Sequence, residues 1–257
     1  MAEKSIFPER VNVLGVPVDP WTMAQTVART EELIDSGAFA HLIGVNADKV
    51  LQMRDSLEMD AIVRRCEVIN ADGASMVMAA RRLGVSIPER VAGIDLMNEL
   101  CALAEREGYR VFLLGAKYDV VEHARDALLK RFPGLIIAGV RDGYFGEEEF
   151  DSVAKQVQAS GARIIFVGIT SPKKERLIER FRELGLSGAY VGVGGSFDVV
   201  SGKIPRAPIW MQRAHLEWLF RLMQEPRRLA KRYMVGNIRF MVLLHEEKKR
   251  MKEEASR

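Results

Sequence analysis

Asp72 lies in the segment NADGAS (70–75), which follows a short apolar run and precedes a helical pattern. In an open parallel sheet, ligands bind outside the carboxyl ends of the strands, which is where this residue is expected. A carboxylate at that edge could act as a general base and take a proton from a substrate hydroxyl. It could equally cap the following helix, with Gly73 easing the turn. Both interpretations are open at this point.

Other segments join an apolar run to a helical pattern in the same way. Arg90, Gly93 and Asp95 lie in ERVAGIDL, which is either a binding loop or an ordinary helix start. Gly115 in LLGA makes a turn that suits a phosphate or a nucleotide, although the full GxGxxG pattern is missing. Tyr144 in RDGYF either stacks on a base or fills a hydrophobic turn.

Two later segments bring charge and glycine to the same edge. Pro172 suits the first position of a helix, and Lys173 and Lys174 follow it. Cations at a helix start oppose the helix dipole, so either an anionic ligand or full solvation must offset them. The stretch GVGGSFDVVSGK (192–203) allows close backbone approach to a ligand, or serves only as a tight turn from strand to helix.

The order of apolar runs and helical patterns predicts the elements that would position these residues. Apolar runs alternate with patterns of helical spacing up to about residue 194. This rhythm indicates an α/β fold with a Rossmann-like, largely parallel sheet and flanking helices. The predicted strands cover residues 11–18, 40–45, 66–70, 109–115, 134–140, 163–169 and 189–194.

The rhythm stops after Gly202. Pro205 and Pro208 precede a helical pattern that runs to about Gln224, and Pro226 is expected to open a second helix. We therefore predict an α/β body over residues 1–202 and a helical, basic appendage over residues 203–257.

Charge separates the same two parts. Residues 203–257 carry 14 Lys and Arg against 6 Asp and Glu, a net charge of +8, whereas residues 1–202 carry a net charge of −5. Residues 206–233 also hold two Trp, one Phe and one Tyr. This composition suits an anionic partner such as nucleic acid, acidic lipid or a diphosphate.

Several classes of protein are disfavoured by composition. Apolar runs fall short of the roughly 18 residues that a spanning helix needs, and no apolar signal segment begins the chain, which predicts a cytoplasmic protein. Cys66 and Cys101 are isolated and are expected to stay reduced. The four His are scattered and no Asp-x-Asp occurs, so we expect no metal site and no cofactor, with Lys and Arg neutralising any diphosphate.

Taken together and in this order, the segments resemble those of the WecG/TagA/CpsF glycosyltransferase family. They are VNADKV, ADGAS, ERVAGIDLM, LLGA, GYF, SPKKE, GVGGSFDVVSGK and RAPIWMQRAHLEWLFRLMQEPRRLAKRY, and they span about residues 45–233. The resemblance implies inverting, metal-independent transfer of a hexose from a UDP-sugar to a polyprenyl-diphosphate-linked saccharide. The sugar would be N-acetylmannosamine, its uronic acid or glucose. The product would belong to a cell-surface polysaccharide such as teichoic acid or an exopolysaccharide.

The resemblance also implies roles for individual residues. Asp72 matches the catalytic base and Lys174 a second catalytic position, while Tyr144 matches the position that stacks on uracil and Asp198 the one beside the uracil edge. Basic appendage positions that would reach the diphosphate and the membrane are matched by Arg221, Arg228 and Arg232. The remaining expected substrate-binding positions are Asn46, Asp48, Arg90, Gly93, Asp95, Gly115, Pro172, Glu175, Gly194 and Gly195.

Two positions depart from the family pattern. Gly44 stands where the family often has Thr, and Lys174 stands where it has Gln. Lys174 is therefore a candidate to serve the phosphates or the acceptor. The departures leave the sugar and the acceptor open.

Two alternatives come from other classes. A nicotinamide-dependent oxidoreductase would want GxGxxG after its first strand, where this chain has VPVDPWT. A non-catalytic nucleic-acid-binding module would use the basic segment but needs exposed aromatic rings in a groove. We expect a UDP-sugar donor, a lipid-linked acceptor and the inner membrane surface as partners rather than nucleic acid, and a homo-oligomer stays open.

Overall fold

A six-stranded, fully parallel sheet forms the centre of the molecule. The computed structural model describes residues 7–214 and 216–255, without the side chains of residues 228, 231, 232 and 255. The strand order is β4-β3-β8-β7-β5-β6, with a separate antiparallel pair β1-β2. The predicted α/β class with a Rossmann-like parallel sheet is confirmed. The strands are β1 (Val11–Val13), β2 (Val16–Val18), β3 (Phe39–Val45), β4 (Val68–Ala71), β5 (Arg110–Gly115), β6 (Ile136–Arg141), β7 (Ile164–Gly168) and β8 (Gly188–Gly192).

Helices cover both faces of this sheet. Its strands are therefore buried on both sides, which explains why they appear in the sequence as apolar runs. Leu113 and Phe166 face one core with α1, α5 and α6, whereas their neighbours Leu114 and Ile165 face the opposite core with α7 and α8. The α-helices are α1 (Met23–Asp35), α2 (Ala47–Asp55), α3 (Leu57–Arg65), α4 (Ala74–Arg82), α5 (Gly93–Glu107), α6 (Tyr118–Arg131), α7 (Phe150–Ser160), α8 (Lys173–Glu183), α9 (Ser196–Val200), α10 (Ile209–Arg213), α11 (Glu217–Gln224) and α12 (Pro226–Ala255).

The N-terminal apolar run is a hairpin, so the prediction of one strand over residues 11–18 is wrong. Leu14 and Gly15 form its turn with φ values of 57° and 85°. Positive φ at both central residues matches the twist of a two-residue hairpin, but leucine seldom adopts it. The Asn12 side chain accepts a hydrogen bond from the Gly15 N–H at 2.8 Å and stabilises the turn.

The C-terminal residues form three helices. The prediction of a single helix up to Gln224 is wrong: α10 closes early because the Leu216 N–H bonds back to the Met211 carbonyl at 2.8 Å. A bond spanning five residues is a helix-ending pattern. Pro226 does open the next helix, as predicted.

Helix α12 packs on the body rather than standing away from it. Phe240 and Leu244 are buried in a core shared with α2 and the β1-β2 hairpin, and Arg239 pairs with Asp55 at 2.7 Å. The division at residue 202 stays a prediction. Throughout the described ranges, no helix is both long enough and apolar enough to cross a membrane.

Both cysteines lie in the interior. Cys66 and Cys101 are free thiols, each at most 2% exposed. Burial raises the pKa of both thiols, that of Cys101 to about 12. Neither thiol is therefore ionised near neutral pH.

Candidate active site

Asp72 lies one residue beyond β4, at the edge where all six parallel strands present their carboxyl ends. Its N–H bonds to the Val45 carbonyl at 3.0 Å, which holds it against the end of β3. Its Oδ1 accepts a hydrogen bond from the Gly93 N–H at 3.1 Å. The interpretation that Asp72 caps its own following helix is wrong, because Gly73 precedes α4 and no side chain caps that helix. Asp72 instead faces the N-terminus of α5.

Glycines allow close packing at and around Asp72. A Cβ atom at Gly44 would lie 2.8 Å from the Asp72 Cβ, closer than real Cβ contacts allow. A Cβ at Gly73 would lie 2.7 Å from the Asn46 Cβ. Gly93 runs close to the end of β8, since a Cβ on it would lie 3.6 Å from the Gly192 carbonyl oxygen. The ends of β3, β4 and β8 and the start of α5 therefore converge on one carboxylate.

The electrostatic surroundings of Asp72 are mixed. Burial raises the pKa of Asp72 above its ordinary value, and this outweighs the Gly93 N–H and the charges of Arg90, Arg221 and Lys174, which all act to lower it. A carboxyl group with a raised pKa is a stronger base once ionised, which suits proton transfer near neutral pH.

Lys174 lies beside the same edge and is buried. Its Nζ lies 3.0 Å from the Glu175 Oε1, and a Cβ built on Gly192 would come within 2.6 Å of that Nζ. The ammonium is thus placed between Glu175 and the carboxyl end of β8. Full solvation of this helix start is excluded, because Lys174 is only 8% exposed.

Glu175 holds a second buried cation, Lys49. The Lys49 Nζ donates to the Glu175 Oε1 at 2.7 Å, to the Ser171 Oγ at 2.8 Å and to the Gln52 Oε1 at 2.9 Å. Burial alone would raise the pKa of Glu175, but Lys174 and Lys49 outweigh it and lower the pKa to about 2. Glu175 is therefore ionised, and its carboxylate holds the ammonium groups of Lys174 and Lys49 near the carboxyl ends of the strands.

The first predicted binding segment forms the start of α2. The Asn46 Oδ1 accepts a hydrogen bond from the Lys49 N–H at 3.1 Å, so this carboxamide caps the helix. Asp48, in the first turn of the same helix, accepts a hydrogen bond from the Gln52 Nε2 at 3.3 Å. The segment therefore brings Lys49 to the buried cluster.

The loops after β5, β6 and β7 are bonded to one another. Gly115 has a φ of 136°, and a Cβ there would lie 2.4 Å from the Gly168 carbonyl oxygen. The Ala116 N–H bonds to the Gly168 carbonyl at 3.0 Å, and the Gly143 N–H bonds to the Ala116 carbonyl at 2.9 Å. Tyr144 follows with 73% of its surface exposed, whereas Phe145 is the residue that fills the turn.

The glycine-rich segment leads into α9 at the end of β8. Gly194 and Gly195 are exposed, and Gly194 has a φ of 53°. Asp198 lies in the first turn of α9, where one carboxylate oxygen is 3.6 Å from the Lys203 Nζ. Pro172 is exposed and precedes α8 rather than beginning it.

Helix α11 joins the body through a network of charges. The Glu217 carboxylate bonds to Arg90 and lies 3.6 Å from the Arg206 Nε, while Arg206 pairs with Asp95 at 2.8 Å. Arg90 therefore contacts α11, and Asp95 contacts the segment that precedes α10. Arg221 is near enough to act on Asp72, and the side chains of Arg228 and Arg232 lie outside the described residues.

Comparison with known protein families assigns the chain to one of them. A model of the glycosyl transferase WecG/TagA/CpsF family matches residues 11–254. The chain belongs to this family. Members of the WecG/TagA/CpsF family in general use a nucleotide-sugar donor and a lipid-linked acceptor, so membership supports a transferase over the oxidoreductase and nucleic-acid-binding alternatives.

Some residues of the candidate site in this WecG/TagA/CpsF transferase were not singled out from the sequence. Lys49, Ser171 and Glu217 were missed as site residues, because their partners are far away along the chain. Lys49 and Glu175, for example, are 126 positions apart. The one local signal for Lys49 was a charged residue one turn after Asn46 at a helix start.

Proposed function

We propose that this WecG/TagA/CpsF transferase moves a hexose from a UDP-sugar to a polyprenyl-diphosphate-linked saccharide with inversion, in the synthesis of a cell-surface polysaccharide. The sugar class is N-acetylmannosamine, its uronic acid or glucose. The observation that supports this most directly is Asp72, a carboxylate with a raised pKa at the carboxyl edge of the sheet, with Arg90, Arg221 and Lys174 acting on it.

In the proposed reaction the Asp72 carboxylate takes the proton of the acceptor hydroxyl. The acceptor oxygen attacks the anomeric carbon from the face opposite UDP, and the bond between that carbon and the phosphate oxygen breaks. Negative charge then builds on the UDP leaving group and needs cations nearby. Lys174 and Arg221 are our candidates for this charge, and the lack of any Asp-x-Asp in the sequence supports a transfer that does not need a metal.

We further propose that the C-terminal helices bring the site to the inner face of the membrane. Trp210 and Trp218 are exposed, and Trp218 packs edge-on against Tyr233 with ring centroids 6.2 Å apart. Exposed aromatic rings next to basic residues suit the headgroup region. Part of the appendage packs on the body instead, so the membrane contact falls to the outward faces.

The test is a screen of UDP-sugars with a short-chain lipid-diphosphate-linked saccharide. We expect transfer from one of the named sugars, and Asp72→Asn should lower turnover about a hundredfold or more, the usual scale for a general base. UDP affinity should stay within about twofold because the shape of the site is kept. Asp60→Asn, in an exposed pair with Arg64, is the matched control. Equal turnover of Asp72→Asn and wild type would remove Asp72 from the role.

A further inference from the structure

Lys173 holds the backbone on both sides of Tyr144. It is the first residue of α8, and its Nζ donates to the Gly143 carbonyl oxygen at 3.1 Å and to the Phe145 carbonyl oxygen. The same ammonium lies 4.2 Å from the centre of the Phe145 ring. A single cation thus binds both carbonyl groups that flank Tyr144.

The backbone of this loop makes further hydrogen bonds, while the Tyr144 side chain is exposed to solvent. The Tyr144 N–H donates to the Asp142 Oδ1 at 2.8 Å, and the Gly143 N–H bonds to the Ala116 carbonyl at 2.9 Å. Packing of Phe145 beneath the loop adds to these bonds. An exposed aromatic ring on an immobilised backbone can stack on a planar ligand without the cost of ordering the loop first.

The charge of the next residue, Lys174, has a different partner. Lys174 is bound to Glu175 beside Gly192, near Asp72. We propose that the two adjacent lysines divide the work: Lys173 is a positioning residue that holds Tyr144 as a stacking platform for the donor's nucleobase, and Lys174 serves the transfer centre. This inference rests on the proposed function, because it assumes a nucleotide donor.

The competing role for Lys173 is direct contact with the donor diphosphate. An ammonium group has three donors, and here two of them are taken by the flanking carbonyl groups. The face of Phe145 offsets part of its charge as well. These contacts favour the positioning role, and the two roles differ in how they affect uridine and UDP.

The experiment is titration calorimetry of the full chain with uridine and with UDP. Base–aromatic stacking accounts for about tenfold in affinity, so Tyr144→Ala should weaken both ligands by about that factor. Lys173→Met should weaken uridine and UDP by the same smaller factor, about threefold, and should add nothing in the Tyr144→Ala background. Lys173→Arg should restore part of the loss, since guanidinium can also bind carbonyl groups.

Controls separate this inference from loss of folding and from failure of the proposed function. Lys155→Met, at an exposed lysine of α7, should leave both affinities unchanged, and thermal unfolding of each variant checks the fold. A Lys173→Met variant that loses UDP affinity alone, that adds to Tyr144→Ala, or that changes neither affinity would overturn the positioning role. Wild-type protein that binds neither uridine nor UDP would contradict the proposed function itself.

Discussion

At the scale of single residues, Asp72 is held by backbone hydrogen bonds and fits because Gly44 has no side chain. Gly44 leaves room for its Cβ, and the Gly93 N–H donates a hydrogen bond to its Oδ1. The family resemblance marked Gly44 as a departure, and the structure gives it a local reason. With no side chain at position 44, the carboxylate can lie directly against β3.

Gly44→Ala should therefore impair activity without unfolding the protein. The added Cβ would force Asp72 to shift, and a displacement of about 1 Å at a catalytic group can cost up to about a hundredfold in rate. We expect kcat/KM to fall by about ten- to a hundredfold in the transfer assay. Gly236→Ala is the matched control, because its Cβ would meet Leu51 at an ordinary 3.8 Å. Wild-type kinetics in Gly44→Ala would show that Asp72 has space to spare.

The raised pKa of Asp72 makes two predictions about pH. Activity needs the ionised carboxylate, so kcat/KM should fall as pH drops through a value above the ordinary 3.9 or so of aspartate.

Because the pKa of Asp72 is higher in the folded state than in the unfolded state, the ionised group destabilises the fold at neutral pH, and this cost disappears below the unfolded-state pKa. Asp72→Asn should thus have a higher Tm than wild type at neutral pH and an equal Tm near pH ~3.5. A lower Tm for the variant at neutral pH would contradict the assigned direction.

At the scale of elements, the first turn of α8 supplies charged side chains to three different neighbours. Lys173 reaches the loop after β6, Lys174 the end of β8, and Glu175 the lysine of α2. Burying two lysines and one glutamate is tolerated because each charge has a partner. The buried cluster therefore acts as the joint between α2, α8 and the sheet.

Glu175→Gln should loosen this joint. Removing one partner of a buried pair leaves charge uncompensated and costs about 3 kcal/mol or more in the free energy of unfolding. Since the pKa of Glu175 is lowered to about 2, its contribution is present above the ordinary value and is lost as pH falls toward 2. Denaturant unfolding across this range should show the gap to wild type closing at low pH.

The surface pair of Glu147 with Arg176 provides the control for that measurement. Glu147 is more than half exposed, so Glu147→Gln should change the free energy of unfolding by less than about 1 kcal/mol. Equal losses in the free energy of unfolding for the two substitutions would mean that the buried cluster stabilises the fold no more than a surface ion pair does.

The elements that the sequence predicts correctly are those with a local pattern of apolar residues. Six strands were predicted within about two residues because buried parallel strands read as continuous apolar runs. The hairpin was missed because Leu14 adopts a backbone conformation that its side chain disfavours. The Lys49–Glu175 pair was missed because no local pattern joins helices so distant along the chain.

At the scale of the whole molecule, α12 has two different faces. Phe240 and Leu244 are buried against the body, whereas Met234, Ile238 and Met241 are exposed on the outer side. Truncating the appendage would therefore uncover the core as well as remove the proposed membrane contact. A substitution on the outer face keeps the fold and tests the contact alone.

Ile238→Glu should reduce binding to vesicles of phosphatidylglycerol and phosphatidylcholine. Binding to such vesicles is expected to depend on burial of apolar side chains in the headgroup region and on attraction of basic residues to anionic lipid, roughly 1 kcal/mol for each basic residue. The variant would replace an apolar contact with a negative charge. We expect flotation to drop several-fold for this variant. Asn237→Glu adds the same charge at an exposed polar site next to it and should cause a smaller loss. Equal losses in both variants would indicate general electrostatics rather than an apolar contact.

The interior position of both thiols has a practical consequence for fluorescence work. A cysteine introduced at the exposed position 238 would be the accessible, ionisable thiol, since Cys66 and Cys101 are shielded and protonated near neutral pH. Maleimide dyes should therefore label the introduced site in the otherwise native chain. Approach of the outer face of α12 to a vesicle can then be followed as an optical signal from a single dye.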